Sequence, residues 1–260
     1  MSEELKVPTM ADYMAEGKQP EILFWVGSAG SYDDRAKKIS KAFVKILNKA
    51  NVDFAVLGAE ESNTGDVAKR AGNEFLFQMQ AMMNIEVLNG YEVKRIVTCD
   101  PHSFNCLKNE YPSLGGNYDV IHHTQFIQEL IESGRLKVEG DTYKGKRITF
   151  HDPCYLGRAN SIYDAPRNVL KSTNANLTEM KRHKNTALCC GAGGAQMFKE
   201  PEKGNKDINV LRTEDALETQ PDIIATGCPY CNTMMTDGVK AKEKEGEISV
   251  LDIAELIANS

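Results

Sequence analysis

Residues 147–154 read R-I-T-F-H-D-P-C, and residues 21–28 read E-I-L-F-W-V-G-S. Each is a short apolar run that stops at turn residues, the pattern of a strand buried on both faces. The same sign recurs at residues 95–98 (R-I-V-T) and 222–226 (D-I-I-A-T), each followed by a turn and a helical stretch. Residues 33–50 carry Ile39, Ala42, Phe43, Ile46 and Leu47 at helical spacing behind acidic Asp33 and Asp34. A short strand is expected over 53–57. Each half closes with a strand and a helix: Val120-Ile121 before 126–131, and Val250-Leu251 before 253–257.

The two halves share a register. Ser28 and Cys154, Asn63 and Cys189, and Glu129 and Glu255 each lie 126 residues apart, and Asp100 and Cys228 lie 128 apart. A sustained offset argues for a duplicated unit. Alternating strands and helices argue for α/β layers with mainly parallel sheets, so we expect two tandem, pseudo-repeated, Rossmann-like α/β domains. A lead segment spans 1–19, the first domain 20–135 and the second 147–260. The polar stretch 134–146, with Gly140 and Gly145, separates them.

Five of the seven cysteines fall in the second half, as H-D-P-C at Cys154, L-C-C-G at Cys189 and Cys190, and C-P-Y-C at Cys228 and Cys231. Thirty-four residues separate Cys154 from Cys189, and thirty-seven separate Cys190 from Cys228. Sites in open α/β sheets form where loops leave the carboxyl ends of strands, and Cys154 and Cys228 each follow such a strand. All five thiols can converge on one sheet edge. Gathered thiolates suit a soft metal or an iron–sulfur cluster. A zinc site is the simpler alternative, but it needs four ligands, and adjacent cysteines strain one tetrahedral ion. A bare C-x-x-C dithiol would need none of the three distant cysteines. His151, three residues before Cys154, either donates to the site, passes a proton, or is a core histidine. Gly191 lets backbone approach a bulky inorganic core without a Cβ clash.

The apolar share of 41% supports real cores, and the net charge of −6 gives no support to nucleic-acid binding. No apolar run reaches the length of a membrane span. The polar start lacks an apolar signal core, so a cytoplasmic location is expected, where clustered cysteines mean metal or redox chemistry. The stretch G-S-A-G at 27–30 lacks both phosphate-loop frames, which counts against a nucleotide site. Met79, Met82 and Met83 fit either a partner surface or a core.

The frame C-x34-CCG-x37-C-x-x-C resembles the cysteine-rich CCG domain of the B subunit of heterodisulfide reductase. The same domain occurs in the iron–sulfur component of glycolate oxidase and in lactate-utilisation iron–sulfur proteins. The resemblance covers nearly the whole chain, because that family carries the domain in tandem. It implies a pair of α/β domains and a non-cubane [4Fe-4S] cluster in the second, held by Cys154, Cys189, Cys190, Cys228 and Cys231. It further implies an oxidoreductase component passing single electrons to a disulfide, thiol or quinone acceptor. No run of the kind that binds cubane clusters occurs here. A partner is therefore implied: a ferredoxin-type iron–sulfur protein like the C subunit of heterodisulfide reductase, or a flavoprotein. The alternative is a zinc-binding structural or interaction module on a degenerate CCG fold.

The first half departs from this pattern. Ser28, Asn63, Thr64, Asp100 and Ser103 stand where the family has cysteines. The first site is either vestigial, engineered away, or a set of oxygen ligands for a harder ion; the donor types favour a vacant site. Cys99 points to the opposite face of a strand end, Cys106 lies a helical turn beyond Ser103, and both are expected to be small buried hydrophobes.

Overall fold

The computed structural model describes residues 5–200 and 203–260. Residues 1–4 of the expected lead segment lie outside them. The chain divides into two compact units, Met1–Leu136 and Lys137–Ser260.

The first unit holds β1 (Ile22–Trp25), β2 (Phe54–Ala55), β3 (Arg95–Thr98) and β4 (Asp119–His122). They form one sheet in the order β2-β1-β3-β4, and every pairing is parallel. The second unit holds β5 (Arg147–Phe150), β6 (Asn176–Leu177), β7 (Ile223–Thr226) and β8 (Ser249–Asp252), in the order β6-β5-β7-β8, again all parallel. The same order in both sheets is the duplication expected from the sequence. All four residues of β1 and of β7 are buried, as a sheet covered on both faces requires.

The helix Ala36–Lys49 shows how the pattern becomes packing. The Asp33 carboxylate accepts from Ala36 N–H at 2.7 Å and starts the helix. Ile39, Phe43, Ile46 and Leu47 are its buried stripe, each contributing about 1.5–3 kcal/mol on burial. Phe43 meets Phe24 of β1 edge-on with ring centroids 5.0 Å apart. Asn51, in the left-handed region at φ 50°, turns the chain out of the helix.

Several expectations need correction. The register is not constant: strand starts in the two units lie 125, 122, 128 and 130 residues apart. Loop insertions shift it, so Glu129 and Glu255 are not equivalent. Glu255 closes the capping box of the helix Ile253–Ala258, and Gln125 fills that role in the helix His123–Glu132. The stretch 27–30 is not a loop but opens the short helix Gly27–Tyr32. Residues 8–15 do more than lead in. Thr9 makes a parallel bridge to Val56 and caps the helix Met10–Ala15, burying Met10. The methionines of the helix Glu74–Gly90 are not core: Met79, Met82 and Met83 are exposed, with Phe75 beside them. Cys99 and Cys106 are buried, but Cys106 is no apolar filler; its thiol donates to Glu110 at 3.4 Å. Among the described residues no helix is long and apolar enough to cross a membrane.

Gly65 tests the tightness of the first unit. Its φ is 87°, and a Cβ there would lie 2.7 Å from the Phe77 ring and 3.2 Å from the Phe77 Cα. Gly72 has the same φ with open space around it. Gly72→Ala should cost about 1 kcal/mol from the left-handed backbone alone. Gly65→Ala should cost about 2–4 kcal/mol, because overpacking adds to it. Urea midpoints of the two variants check this, and equal losses would contradict the described packing.

Candidate metal centre

Parallel pairing of β5 with β7 brings the carboxyl ends of both strands side by side. His151 N–H, just past β5, donates to the Ala225 carbonyl at 2.9 Å. The chain then runs Asp152-Pro153-Cys154. Asp152 anchors this loop: Arg167 grips its carboxylate with two hydrogen bonds of 2.8 and 2.9 Å, and Lys184 N–H adds a third at 2.8 Å. Burial pushes the Asp152 carboxyl up, but these donors outweigh it and hold its pKa below the usual range.

Beyond β7, Cys228 is the N-cap of the helix Pro229–Ala241, with Pro229 at the first helical position and Cys231 at the third. Spacing of three puts both residues in the first turn of that helix. Cys189 and Cys190 arrive on the loop that follows the single turn Lys184–Thr186. Gly191 follows at φ 94°, close under Ile208 and Met234. Its N–H donates to the Cys189 sulfur at 3.3 Å.

Cys189, Cys190, Cys228 and Cys231 pack together in one cluster, and Cys154 is near enough to Cys189 for each thiol to shift the other, so the five form one row of neighbours. Cys190, Cys228 and Cys231 are buried, while Cys154 and Cys189 are half-buried and form the accessible edge. Such a row cannot ionise together without a cation. S–H donation from Cys154 and Cys190, with the Gly191 N–H, holds the Cys189 pKa far below the ordinary thiol value. Its negative charge in turn drives Cys154 and Cys190 up; hydrogen bonds to Cys190 and Cys228, with burial, do the same to Cys231. Four packed thiols with a fifth beside them are rich in the soft donors that an iron–sulfur cluster takes.

His151 lies beneath this row, fully buried, with a ring nitrogen within 4.8 Å of the Cys190 and Cys231 sulfurs. Its Nδ1 accepts from Arg212 Nε at 3.0 Å, and its Nε2 has no hydrogen-bond partner. Burial, and then the Arg212 charge, push its pKa down to about 3, so the ring stays neutral. Arg212, fully buried on the helix Ile208–Leu217, was missed in the sequence. A single arginine in a helical run carries no sign that its guanidinium turns inward.

The equivalent positions of the first unit are also gathered. Asn63 donates to Ser28 Oγ at 3.0 Å and accepts from Gly65 N–H at 2.8 Å, the counterpart of the Gly191–Cys189 contact. Asp100 is the N-cap of the helix Pro101–Asn105 and accepts from His102 N–H, Ser103 N–H and Ser103 Oγ at 3.0, 3.2 and 2.8 Å. Thr64 is buried, and its carbonyl accepts from Tyr111. Asn63 with Ser28, and Asp100 with Ser103, satisfy one another. Beside them Glu61 accepts from Val26 and Gly27 N–H at 2.9 and 2.6 Å, yet burial raises its pKa to about 7.

Two outcomes follow. In metal-free, reduced protein at pH 6, iodoacetamide should label Cys189 before Cys154, Cys190 or Cys231, as peptide mass spectrometry will report; first labelling at Cys231 would refute the charge order. Glu61 has a higher pKa folded than unfolded, so its contribution to stability is complete below about pH 4.5 and is lost as pH rises through about 7. Thermal unfolding of Glu61→Gln should show a flatter slope over that window, and an unchanged slope would count against it.

A protein-family model described as a cysteine-rich domain, CCG, matches this chain twice, at residues 22–108 and 148–236. The chain is 50% identical, over 99% of its length, to the Bacillus subtilis (strain 168) protein named "Probable iron-sulfur-binding oxidoreductase FadF". It is 44% identical over 98% of its length to the "EtfAB:quinone oxidoreductase" of Syntrophomonas wolfei. It spans only 36% of each of those two proteins. It is also 34% identical, over 92% of its length, to the D subunit of the dihydromethanophenazine:CoB–CoM heterodisulfide reductase of Methanosarcina barkeri, and spans 59% of that protein. With both α/β units matched, the chain belongs to the CCG cysteine-rich domain family and carries the domain twice.

Proposed function

We propose that this chain is the cluster-bearing part of an oxidoreductase of the heterodisulfide reductase type. Cys154, Cys189, Cys190, Cys228 and Cys231 would hold one [4Fe-4S] cluster of the non-cubane kind in the second unit. One observation carries this: Cys189, Cys190, Cys228 and Cys231, from two distant segments, pack in one cluster, with Cys154 from a third segment beside Cys189. The names of the similar proteins, an iron–sulfur-binding oxidoreductase, a quinone oxidoreductase and a heterodisulfide reductase subunit, support the same chemistry.

When bound, such a cluster supplies one-electron redox chemistry and an iron open to sulfur. The chain's own residues do the rest. Asp152, gripped by Arg167, fixes the loop that presents Cys154. Cys228 and Cys231 are held at a helix N-terminus, and Gly191 N–H stabilises negative charge on the Cys189 sulfur. The half-buried Cys154–Cys189 edge is the side from which an acceptor reaches the centre, while Cys190, Cys228 and Cys231 are shielded from water. A disulfide acceptor would take two electrons and two protons and leave as two thiols. A quinone acceptor would approach the same edge.

The first unit would hold no cluster, because Ser28, Asn63, Thr64, Asp100 and Ser103 offer hydrogen-bonded neutral or carboxylate groups in place of thiolates. It would serve as scaffold or docking face. Electrons would come from a ferredoxin-type iron–sulfur protein like the C subunit of heterodisulfide reductase, or from a flavoprotein. Thiols of this kind persist in the reducing cytoplasm. A zinc module is the competing assignment.

Anaerobic purification followed by iron, acid-labile sulfide and zinc analysis tests the assignment. Near-equal iron and sulfide with an EPR signal are expected. Cys190→Ser and Cys231→Ser should lose most of both, whereas Ser28→Ala and Ser103→Ala should lose neither. About one zinc per chain without sulfide would overturn it.

A further inference from the structure

We propose that Arg212 locks His151 in one tautomer, so that His151 serves the cluster site as a fixed N–H donor to sulfur and not as a ligand. This rests on the assignment of a cluster to the second unit and adds what the chain does beneath it.

A guanidinium has donors only. The Arg212 Nε contact at 3.0 Å therefore makes His151 Nδ1 the acceptor. In a neutral imidazole the remaining nitrogen then carries the proton. The guanidinium cannot swing away: its Nη1 donates to the Arg182 carbonyl at 2.7 Å and to Asp215 at 3.2 Å. Asp215 is itself held by two bonds of 2.8 and 2.6 Å from Arg182. Nε2–H is left with no acceptor in a residue that is 0% exposed. An orphan N–H at that depth is costly and calls for an explanation. The sulfurs of Cys190 and Cys231 supply one, because a His151 ring nitrogen lies within 4.8 Å of both and Nδ1 is already engaged.

The same geometry argues against coordination by His151. A ligating histidine turns its second nitrogen toward a carboxylate or carbonyl and donates to it. Here the second nitrogen meets a donor, the reverse arrangement. Coordination through Nε2 would first require that nitrogen to lose its proton. As a donor, His151 instead stabilises the extra negative charge of the reduced centre, and the buried Arg212 cation acts in the same sense. Both raise the reduction potential.

The experiment uses the full chain, loaded anaerobically, with nitrogen-15 in its histidines. Pulsed EPR of the wild type should show a weak nitrogen coupling, through a hydrogen bond, and not the strong coupling of an iron-bound nitrogen. In redox titrations His151→Leu should keep its iron and sulfide but reduce about tenfold less favourably, a fall of about 59 mV for one electron. His151→Gln, which keeps an N–H at the same reach, should recover most of that loss. Arg212→Met should also lower the potential and weaken the nitrogen coupling. A strong coupling, no coupling, or equal potentials for wild type and His151→Leu would overturn the proposal. If the variants fail to hold a cluster, the wild-type spectrum still decides. A wild type without iron and sulfide would refute the cluster assignment itself, and the donor role with it.

Discussion

The parallel pairing of β5 with β7 is the constraint on which the rest depends. With Phe150 level with Ala225, both chains leave the sheet at the same edge. The loop 151–154 and the helix start 228–231 therefore emerge as neighbours, although 73 residues separate His151 from Ala225 in the chain. An antiparallel pair would send them to opposite ends. The L-C-C-G loop is then drawn in from the side, and its glycine, at φ 94°, allows the turn that points a backbone N–H at sulfur.

Charge is the second theme. Crowded thiols cannot all ionise in a buried place, and the Gly191 N–H with neighbouring thiols favours charge on Cys189. Burying Arg212 is itself expensive unless its bonds are met. Asp215, the Arg182 carbonyl and His151 meet three of its contacts, and its remaining Nη2 stays without a partner. The first unit meets the same geometry with opposite means. It keeps the left-handed glycine and the helix cap, and fills the places with side chains that bond to one another. The two units share one strand order and differ in the side chains at these loops.

Much of this was legible in the chain. Strands of continuous apolar residues announce burial on both faces, so β1, β3, β5 and β7 could be read directly. The five-cysteine frame was legible as residue types at fixed spacing, and the fold packs Cys189, Cys190, Cys228 and Cys231 together. The constant offset was legible only in part: the strands recur in the same order, but Glu129 and Glu255 do not correspond, since loop insertions move the strands by up to eight residues against one another. The exposed methionines of the helix Glu74–Gly90 were ambiguous for a physical reason. That helix is apolar on nearly every side, so periodicity cannot say which face is covered.

The sequence by itself determined the α/β repeat, the five thiols of the second half and the non-cysteine residues at 28, 63, 64, 100 and 103, because these depend on residue type and local spacing. The tertiary structure decided which atoms touch. Arg212 reaches His151 across 61 residues of chain, Arg167 clamps Asp152 across 15, and Lys184 reaches the same carboxylate across 32. No local pattern encodes such contacts. They exist because the parallel sheet and its covering helices bring distant side chains to one edge, where burial makes every unmet polar group costly.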